Sequence, residues 1–549
     1  MIFLSKVGLK LAKNIDNSSH NFKEYLGSPQ PQSILISKTN VTEITGIINK
    51  LKNNKSPGYD SYNVRFLKLC SPVISSTLCN IFNNMVKSGI YPDDLKIAKV
   101  VPIYKSGDST KCTNYRPISV LSLINNVFEK ILFKRLYDYL EKFEILYQYQ
   151  YGFRKGHSTM HALVELVDKI KNSIDNGEMT CGIFVDLSKA FDTVNHKILL
   201  EKLNHYGFRG KANQLLASYL TNRKQFVEIN NHKSSYRPIT CGVSQGSVLG
   251  PLLFLIYIND LPNCCPLGDT RIFADDTNVL FSSKSADDIL RKGQVIMEQM
   301  NNWFVANKLT LNAKKSSFII FKSTRSKINN LPDKFLFNNT EIMRSNSIKY
   351  LGLTLDEHLT FNLHIQNVCN SIRRYFKIFY NIRRYINCKQ VEILYYSMIY
   401  SQIKYGLIVY GFTTKNNIKK LQTLQNQLLK VLTSKDRRHP TNDLHSQLKI
   451  LKIEDLFFQE KVSFVYNYVN NKLPSSFQNY YSEFSQVHNI NTRNKNHNFI
   501  IPHYRTNIGA STMKIEGAKL WNDLDANIKQ KTNMKMFRKI IKDKILPYP

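Results

Sequence analysis

Asp275 and Asp276 sit between two apolar half-strands, Ile272-Phe273-Ala274 and Val279-Leu280-Phe281, in a chain of 549 residues. Apolar runs joined by a short polar tip spell a hairpin, and adjacent acids at such a tip are ordinarily a solvated turn. A third acid changes that reading. Asp186 ends the apolar run Gly182-Ile183-Phe184-Val185, at a strand end that otherwise favours Ile or Val, and an unpaired carboxylate there is costly. Carboxylates from neighbouring strands repel unless divalent cations lie between them, and hard oxygen ligands select Mg²⁺, with Mn²⁺ able to substitute. Two such ions roughly 3.5–4 Å apart are the device for in-line phosphoryl transfer. One lowers the pKa of an attacking 3′-hydroxyl and the other neutralises a pyrophosphate leaving group.

Three strand-like runs must position these acids: Gly182 to Leu187, Phe226 to Ile229 leading into the Gly242 loop, and Arg271 to Phe281. Long helical segments separate them, which predicts an α+β domain and not a meander. Val127, Ile131, Leu132, Leu136 and Leu140 share one helical face, and Leu163, Leu166, Val167, Ile170 and Ile174 share another, so these helices brace the sheet. Upstream, Ile44, Ile47, Ile48 and Leu51 have helical spacing. Ser56-Pro57-Gly58-Tyr59-Asp60 forces a turn, a second helix lies near Val64 to Leu69, and a strand runs from Ala98 to Tyr104. A further strand is expected at Ser317 to Phe321 and a hairpin around Tyr350 to Leu355. The chain then turns helical and basic, with Arg373, Arg374, Lys377, Arg383 and Arg384 interleaved with Tyr375, Phe376, Tyr380 and Tyr385.

With 42% apolar and 11% aromatic residues, a chain of this length buries several cores and is not disordered. The 76 Lys and Arg against 41 Asp and Glu leave a formal charge of +35, a surplus suited to a polyanion such as nucleic acid. A compositional bias toward Lys, Asn, Ile and Tyr accounts for part of it. The nine cysteines show no Cys-x-x-Cys pair, which argues against a disulfide framework or zinc knuckle and for buried, reduced thiols. The most apolar run, Val248 to Ile258, is too short to span a membrane. Met1 to Asn14 reads as an ordinary helix and not as a targeting segment.

Phe184-Val185-Asp186-Leu187-Ser188-Lys189-Ala190-Phe191-Asp192 resembles motif A of non-LTR retrotransposon reverse transcriptases, and Phe273-Ala274-Asp275-Asp276 resembles their motif C. Between them, Gly242-Val243-Ser244-Gln245-Gly246-Ser247-Val248-Leu249-Gly250-Pro251 is similar to motif B. Ser244 stands where the family usually has Pro, which removes no catalytic group. Lys105 and Asn114-Tyr115-Arg116-Pro117-Ile118-Ser119 resemble the fingers motifs, and Gly152-Phe153-Arg154-Lys155-Gly156-His157-Ser158-Thr159 the segment before motif A. Leu309 to Ser316 is similar to motif D and Lys349-Tyr350-Leu351-Gly352 to motif E. Seven motifs in order, between residues 40 and 440, are hard to assign to chance.

The resemblance implies a right-hand polymerase: an N-terminal helix and linker over 1–40, fingers and palm over 41–345, primer grip and helical thumb over 346–440, and a further, mostly helical region over 441–549. It implies that Asp186, Asp275 and Asp276 hold the metals with the Leu187 carbonyl. Phe191 would be a steric gate against ribose, and Lys105 and Arg116 would grip triphosphate oxygens. Gln245 and Gly246 would line the nucleotide pocket, Lys315 would donate a proton to pyrophosphate, and Tyr350, Leu351 and Gly352 would form the primer grip. Implied partners are an RNA template, a DNA primer, deoxynucleotides, the element's own RNA and target DNA, with no membrane and with action inside the cell, in the nucleus. Arg493 to Ile528, with Gly517-Ala518-Lys519-Leu520-Trp521-Asn522, resembles a block downstream of the polymerase in Jockey-like and CR1-like elements, with Trp521 expected to be a packing anchor. No endonuclease fits before residue 40 and no RNase H segment is evident, so the reading expects a truncated copy, an incomplete gene model or a product cut from a longer one. The competing expectation is an inactive nucleic-acid-binding remnant.

Overall fold

The computed structural model describes residues 20–230, 232–326, 328, 330–483, 498–531 and 533–546. The helix expected over Met1 to Asn14, and Arg493 to His497 of the C-terminal block, lie outside the described residues.

Strands β1 (Ile97–Tyr104), β2 (Tyr115–Leu121), β3 (Met179–Val185), β4 (Arg223–Ile229), β5 (His232–Lys233), β6 (Arg237–Ile239), β7 (Asp269–Phe273), β8 (Asp276–Ser283) and β9 (Ser317–Phe321) form two sheets. The four-stranded sheet runs β7-β8-β3-β9 and is antiparallel at every pair. The other runs β2-β1-β4-β5 with β6 on β4. Its β1 and β4 pair in parallel, so Phe226 to Ile229 belongs to the sheet of the Ala98–Tyr104 strand and not beside the acids. Alternation alone does not say which sheet a strand joins. Two hairpins follow, β10 (Lys334–Phe337) with β11 (Thr340–Met343), and β12 (Ser347–Tyr350) with β13 (Leu353–Asp356).

Every residue of β3 is buried, because both faces of the four-stranded sheet are covered. Ile183 and Val185 enter one core with Ile272, Val279 and Phe318, packed against the helix Leu123–Lys142 and its neighbours. Phe184 enters a second core with Leu280, Ile319 and Phe321, roofed by the helix Thr159–Asp175 and by helices downstream of residue 362. Each fully buried Leu, Ile or Phe contributes about 1.5–3 kcal/mol, so the alternation along β3 fixes its register firmly. Ser122 and Ser158 accept N–H bonds that start the two bracing helices.

The second helix near Val64 runs on to Ser88 through Pro72 and ends at Gly89, far past Leu69. The nine cysteines are all unpaired, but only Cys79, Cys181, Cys264, Cys265 and Cys369 are buried; Cys112 and Cys388 are exposed. No described helix is long and apolar enough to cross a membrane.

Residues on both sides of 440 share the second core, which joins Leu353 and Ile372 to Val465, Trp521 and Phe537. Trp521 is fully buried, as expected of a packing anchor. The C-terminal region is also stitched to the helix Thr159–Asp175. Asp175 carboxylate oxygens accept the Arg505 N–H at 3.0 Å, the Thr506 N–H at 2.7 Å and the Thr506 hydroxyl at 2.6 Å, while Lys171 donates to the Ser511 carbonyl at 2.6 Å.

Candidate active site

The register of β3 against β8 pairs Val185 with Thr277, so the next position, Asp186, comes level with Asp276. Phe273 pairs with Asp276, leaving Ala274 and Asp275 as a two-residue turn. Ala274 has φ 56°, an uncommon conformation for a residue with a side chain. Its surroundings enforce it. The buried Gln150 carboxamide oxygen accepts the Ala274 N–H at 3.1 Å and the Gly152 N–H at 2.8 Å. A Cβ on Gly152 would lie 2.3 Å from the Ala274 nitrogen, so only glycine lets this segment back the turn.

Burial pushes the Asp276 carboxyl up to about 6, helped by the charges of Asp275 and Asp186 and opposed by Lys105. Asp275 is raised chiefly by burial and then by Asp186, with Arg116 and Lys105 opposing. The two opposing cations belong to the segment around the other sheet. Lys105 follows β1, and Arg116 faces Ile103 across the β1–β2 pair; both are exposed.

Asp186 is held differently. Its Oδ2 accepts from Asn312 Nδ2 at 3.0 Å and lies 3.7 Å from Lys315 Nζ, and its backbone N–H donates to Ser316 Oγ at 3.2 Å. The bridge between Leu187 and Leu311 uses the N–H of Ser188 and the carbonyl of Asp186, which leaves the Leu187 carbonyl outside the ladder. Among the described residues, no three His, Cys, Asp or Glu side chains are drawn into a closed metal-binding cluster. Asp186 is turned toward Asn312 and Lys315 and not into such a cluster.

Phe191 is half-buried, its ring stacked on Phe254 at 4.6 Å and edge-on to Phe153 at 6.1 Å. Its carbonyl accepts the Val243 N–H at 2.8 Å, tying it to the loop of Gln245. Gln245 Nε2 donates to Asp192 Oδ1 at 3.0 Å, and its carbonyl accepts the Ser119 N–H at 2.7 Å. Gly246 has φ 118°, and a Cβ there would lie 2.5 Å from the Ser119 oxygen. A small cavity of about 50 Å³ opens here, lined by Pro117, Ser119, Asp192 and the Gly242–Gln245 loop.

Tyr350 is buried, packs edge-on against Phe184 at 5.3 Å, and feels the charge of Asp276, which joins burial in raising its phenol. Only the turn after it is presented outward. Leu351 at φ 43° and Gly352 at φ 85° join β12 to β13, and Tyr405 donates to the Leu351 carbonyl at 2.6 Å. Farther along, Tyr380 and Tyr385 stand exposed, with the Arg383 guanidinium 3.8 Å over the Tyr380 ring.

Gln150, Asn312, Asp192 and Tyr405 are the supporting residues that sequence reasoning gave no role. Asn312 and Asp192 lie inside quoted motifs, where the pattern offered a signal; Gln150 and Tyr405 lie outside them.

Residues 103–355 match the family model of the reverse transcriptase (RNA-dependent DNA polymerase), which spans every strand from β2 to β13. The chain is similar to the RNA-directed DNA polymerase from mobile element jockey of Drosophila melanogaster, at 31% identity over 446 residues, 79% of this chain and 48% of that protein. It is also similar to the probable RNA-directed DNA polymerases from transposon BS, at 30% identity, and from transposon X-element, at 28%, both of the same organism. These cover 78% and 75% of this chain and 48% and 46% of the relatives. The chain thus spans about half the length of the curated relatives it matches. Residues 103–355 thus form a reverse transcriptase domain, and over most of its length the chain is similar to the RNA-directed DNA polymerases of non-LTR retrotransposons.

Proposed function

We propose that this chain copies RNA into DNA, extending a primer 3′-hydroxyl with deoxynucleotides. The observation that carries the reading is the gathering of Asp186, Asp275 and Asp276 at the ends of neighbouring strands, faced by Lys105 and Arg116 from the other sheet. In this reading residues 41–345 are fingers and palm, 346–440 primer grip and helical thumb, and 441–549 a further C-terminal region.

The donor set fits divalent cations: Asp275 and Asp276 are raised by burial and then by the charge of neighbouring acids, and the Leu187 carbonyl lies outside its ladder. Asp186, Asp275, Asp276 and that carbonyl would hold Mg²⁺ or Mn²⁺, which supplies charge neutralisation at the reacting phosphate and a more acidic 3′-hydroxyl. The other roles belong to the chain. Lys105 and Arg116 hold the triphosphate oxygens, Arg by its planar fork and Lys as a point charge. Phe191, fixed by its stack on Phe254, fills the space a ribose 2′-hydroxyl needs, which selects deoxynucleotides. Gln245 and Gly246 line the sugar and base pocket. Lys315, 3.7 Å from Asp186, lies at the edge of the acids, where its ammonium can hand a proton to departing pyrophosphate. The Leu351-Gly352 turn, anchored through buried Tyr350 and Tyr405, presents the primer strand, and the exposed Tyr and Arg after residue 373 follow the duplex backbone. The element's RNA, target DNA and a nuclear place of action follow from this reading.

The test is extension of oligo(dT) on poly(rA) with Mg²⁺ or Mn²⁺, dTTP against UTP. Extension with dTTP alone is expected. A folded chain that binds the duplex and extends nothing would mark an inactive remnant.

A further inference from the structure

Glu129 is fully buried in the helix Leu123–Lys142, distant in sequence from every residue given a role above. A buried carboxylate is costly unless donors meet it, and packing alone is better served by an apolar side chain. Here all the donors are accounted for. Oε1 accepts from the Tyr219 hydroxyl at 2.7 Å and from Asn125 Nδ2 at 3.0 Å. Oε2 accepts from the backbone N–H of Val248 at 2.5 Å. Val248 is the N-cap of the helix Leu249–Tyr257, where an orphan N–H and the helix dipole both favour an anion, and its own side chain supplies no cap. The Arg223 guanidinium lies 4.7 Å over the Tyr219 ring, with Nε and Nη2 buried and unpartnered, so its positive charge stays directed at this cluster.

Val248 is three residues from Gln245, in the loop whose other tethers are the Gln245 carbonyl to Ser119, the Val243 N–H to Phe191 and the Gln245 side chain to Asp192. We propose that Glu129 is a positioning residue for nucleotide binding: by holding the Val248 N–H it fixes the downstream end of the loop that presents Gln245 and Gly246. This rests on the reading of that loop as the nucleotide pocket. Glu129 touches neither substrate nor acids, so its removal loosens the loop and weakens nucleotide capture while leaving the chemical step in place.

The test uses the full chain with poly(rA) and a dideoxy-terminated oligo(dT), so that dTTP affinity is read from ternary-complex formation without catalysis. Glu129→Met is expected to weaken dTTP about tenfold, the worth of one charge-assisted hydrogen bond. Glu129→Gln, which keeps an acceptor for the Val248 N–H, and Tyr219→Phe, which leaves that bond intact, should stay within about threefold of the parent. With an extendable primer the loss should appear in KM for dTTP, with kcat changed less than about threefold. If Glu129→Met does not fold, Glu129→Asp withdraws the carboxylate by one methylene and is expected to show the same dTTP defect. An unchanged dTTP affinity in a folded Glu129→Met or Glu129→Asp variant overturns the proposal, as does a loss confined to kcat or an equal loss in Glu129→Gln. A parent chain that captures dTTP but does not extend overturns the catalytic reading and leaves this one standing. A parent chain that captures none overturns both.

Discussion

Asp276, at the strand tips, and Asp175, where the C-terminal region meets the helix Thr159–Asp175, are treated in opposite ways by one fold. Asp175 is buried, which alone would raise it. Bonds from Thr506 and Arg505 outweigh that and hold its carboxyl below the usual range. Asp276 is raised first by burial and then by two like charges, with Lys105 opposing, and it is pushed up to about 6. A carboxylate met by N–H donors is a joint, whereas acids set beside one another await a positive charge from outside the chain. The same residue type therefore marks architecture in one place and chemistry in the other, and its neighbours decide which.

The largest effect that could break this contrast is on extension. Asp275→Asn with Asp276→Asn should lower primer extension by more than about a thousandfold, since both groups act on the reacting phosphate. Its melting temperature should be unchanged or higher, because repulsion is relieved. Asp175→Ala should do the reverse, costing about 1–2 kcal/mol of stability in urea unfolding by taking the acceptor from the part-buried Arg505 and Thr506 donors. A stability loss in the first variant, or none in the second, would dissolve the distinction.

Stability against pH sharpens it further. The folded pKa of Asp175 lies below its unfolded value near 4, so its contribution is full above that value and lost as pH falls through the folded one. For Asp276 the folded value is the higher, so the folded state loses ground as pH rises from about 4 to about 6. Melting curves across pH 3–7 should therefore show Asp276→Asn gaining on the parent as pH rises and Asp175→Asn losing. Smallest in expected size is the gate: Phe191→Ala should narrow the preference for dTTP over UTP by about 10–100-fold in competition extension, with little change for dTTP itself.

The acids were legible in the sequence because period-two alternation carries Asp186 to the end of a buried strand and places Asp275 and Asp276 at a tip. Their adjacency needed only register. Sheet membership was not legible: Phe226 to Ile229 has the same alternation whether it pairs with β3 or, as it does, in parallel with β1. Nor were the supports. Gln150 and Glu129 lie outside the quoted motifs and Asn312 inside one, and only the folded chain shows that each aims at the N–H or carboxylate of a distant motif. The joint at Asp175 lies beyond periodicity altogether, since its partners Arg505 and Thr506 are more than three hundred residues away in the chain.

The most direct test of the central claim, that Asp275 and Asp276 are left unsatisfied for divalent cations, is the melting temperature of the folded chain titrated with Mn²⁺. The parent should rise with ion concentration, as a site that binds only in the folded state requires, and the Asp275→Asn, Asp276→Asn variant should not. Equal rises in both, or none in the parent, would contradict it.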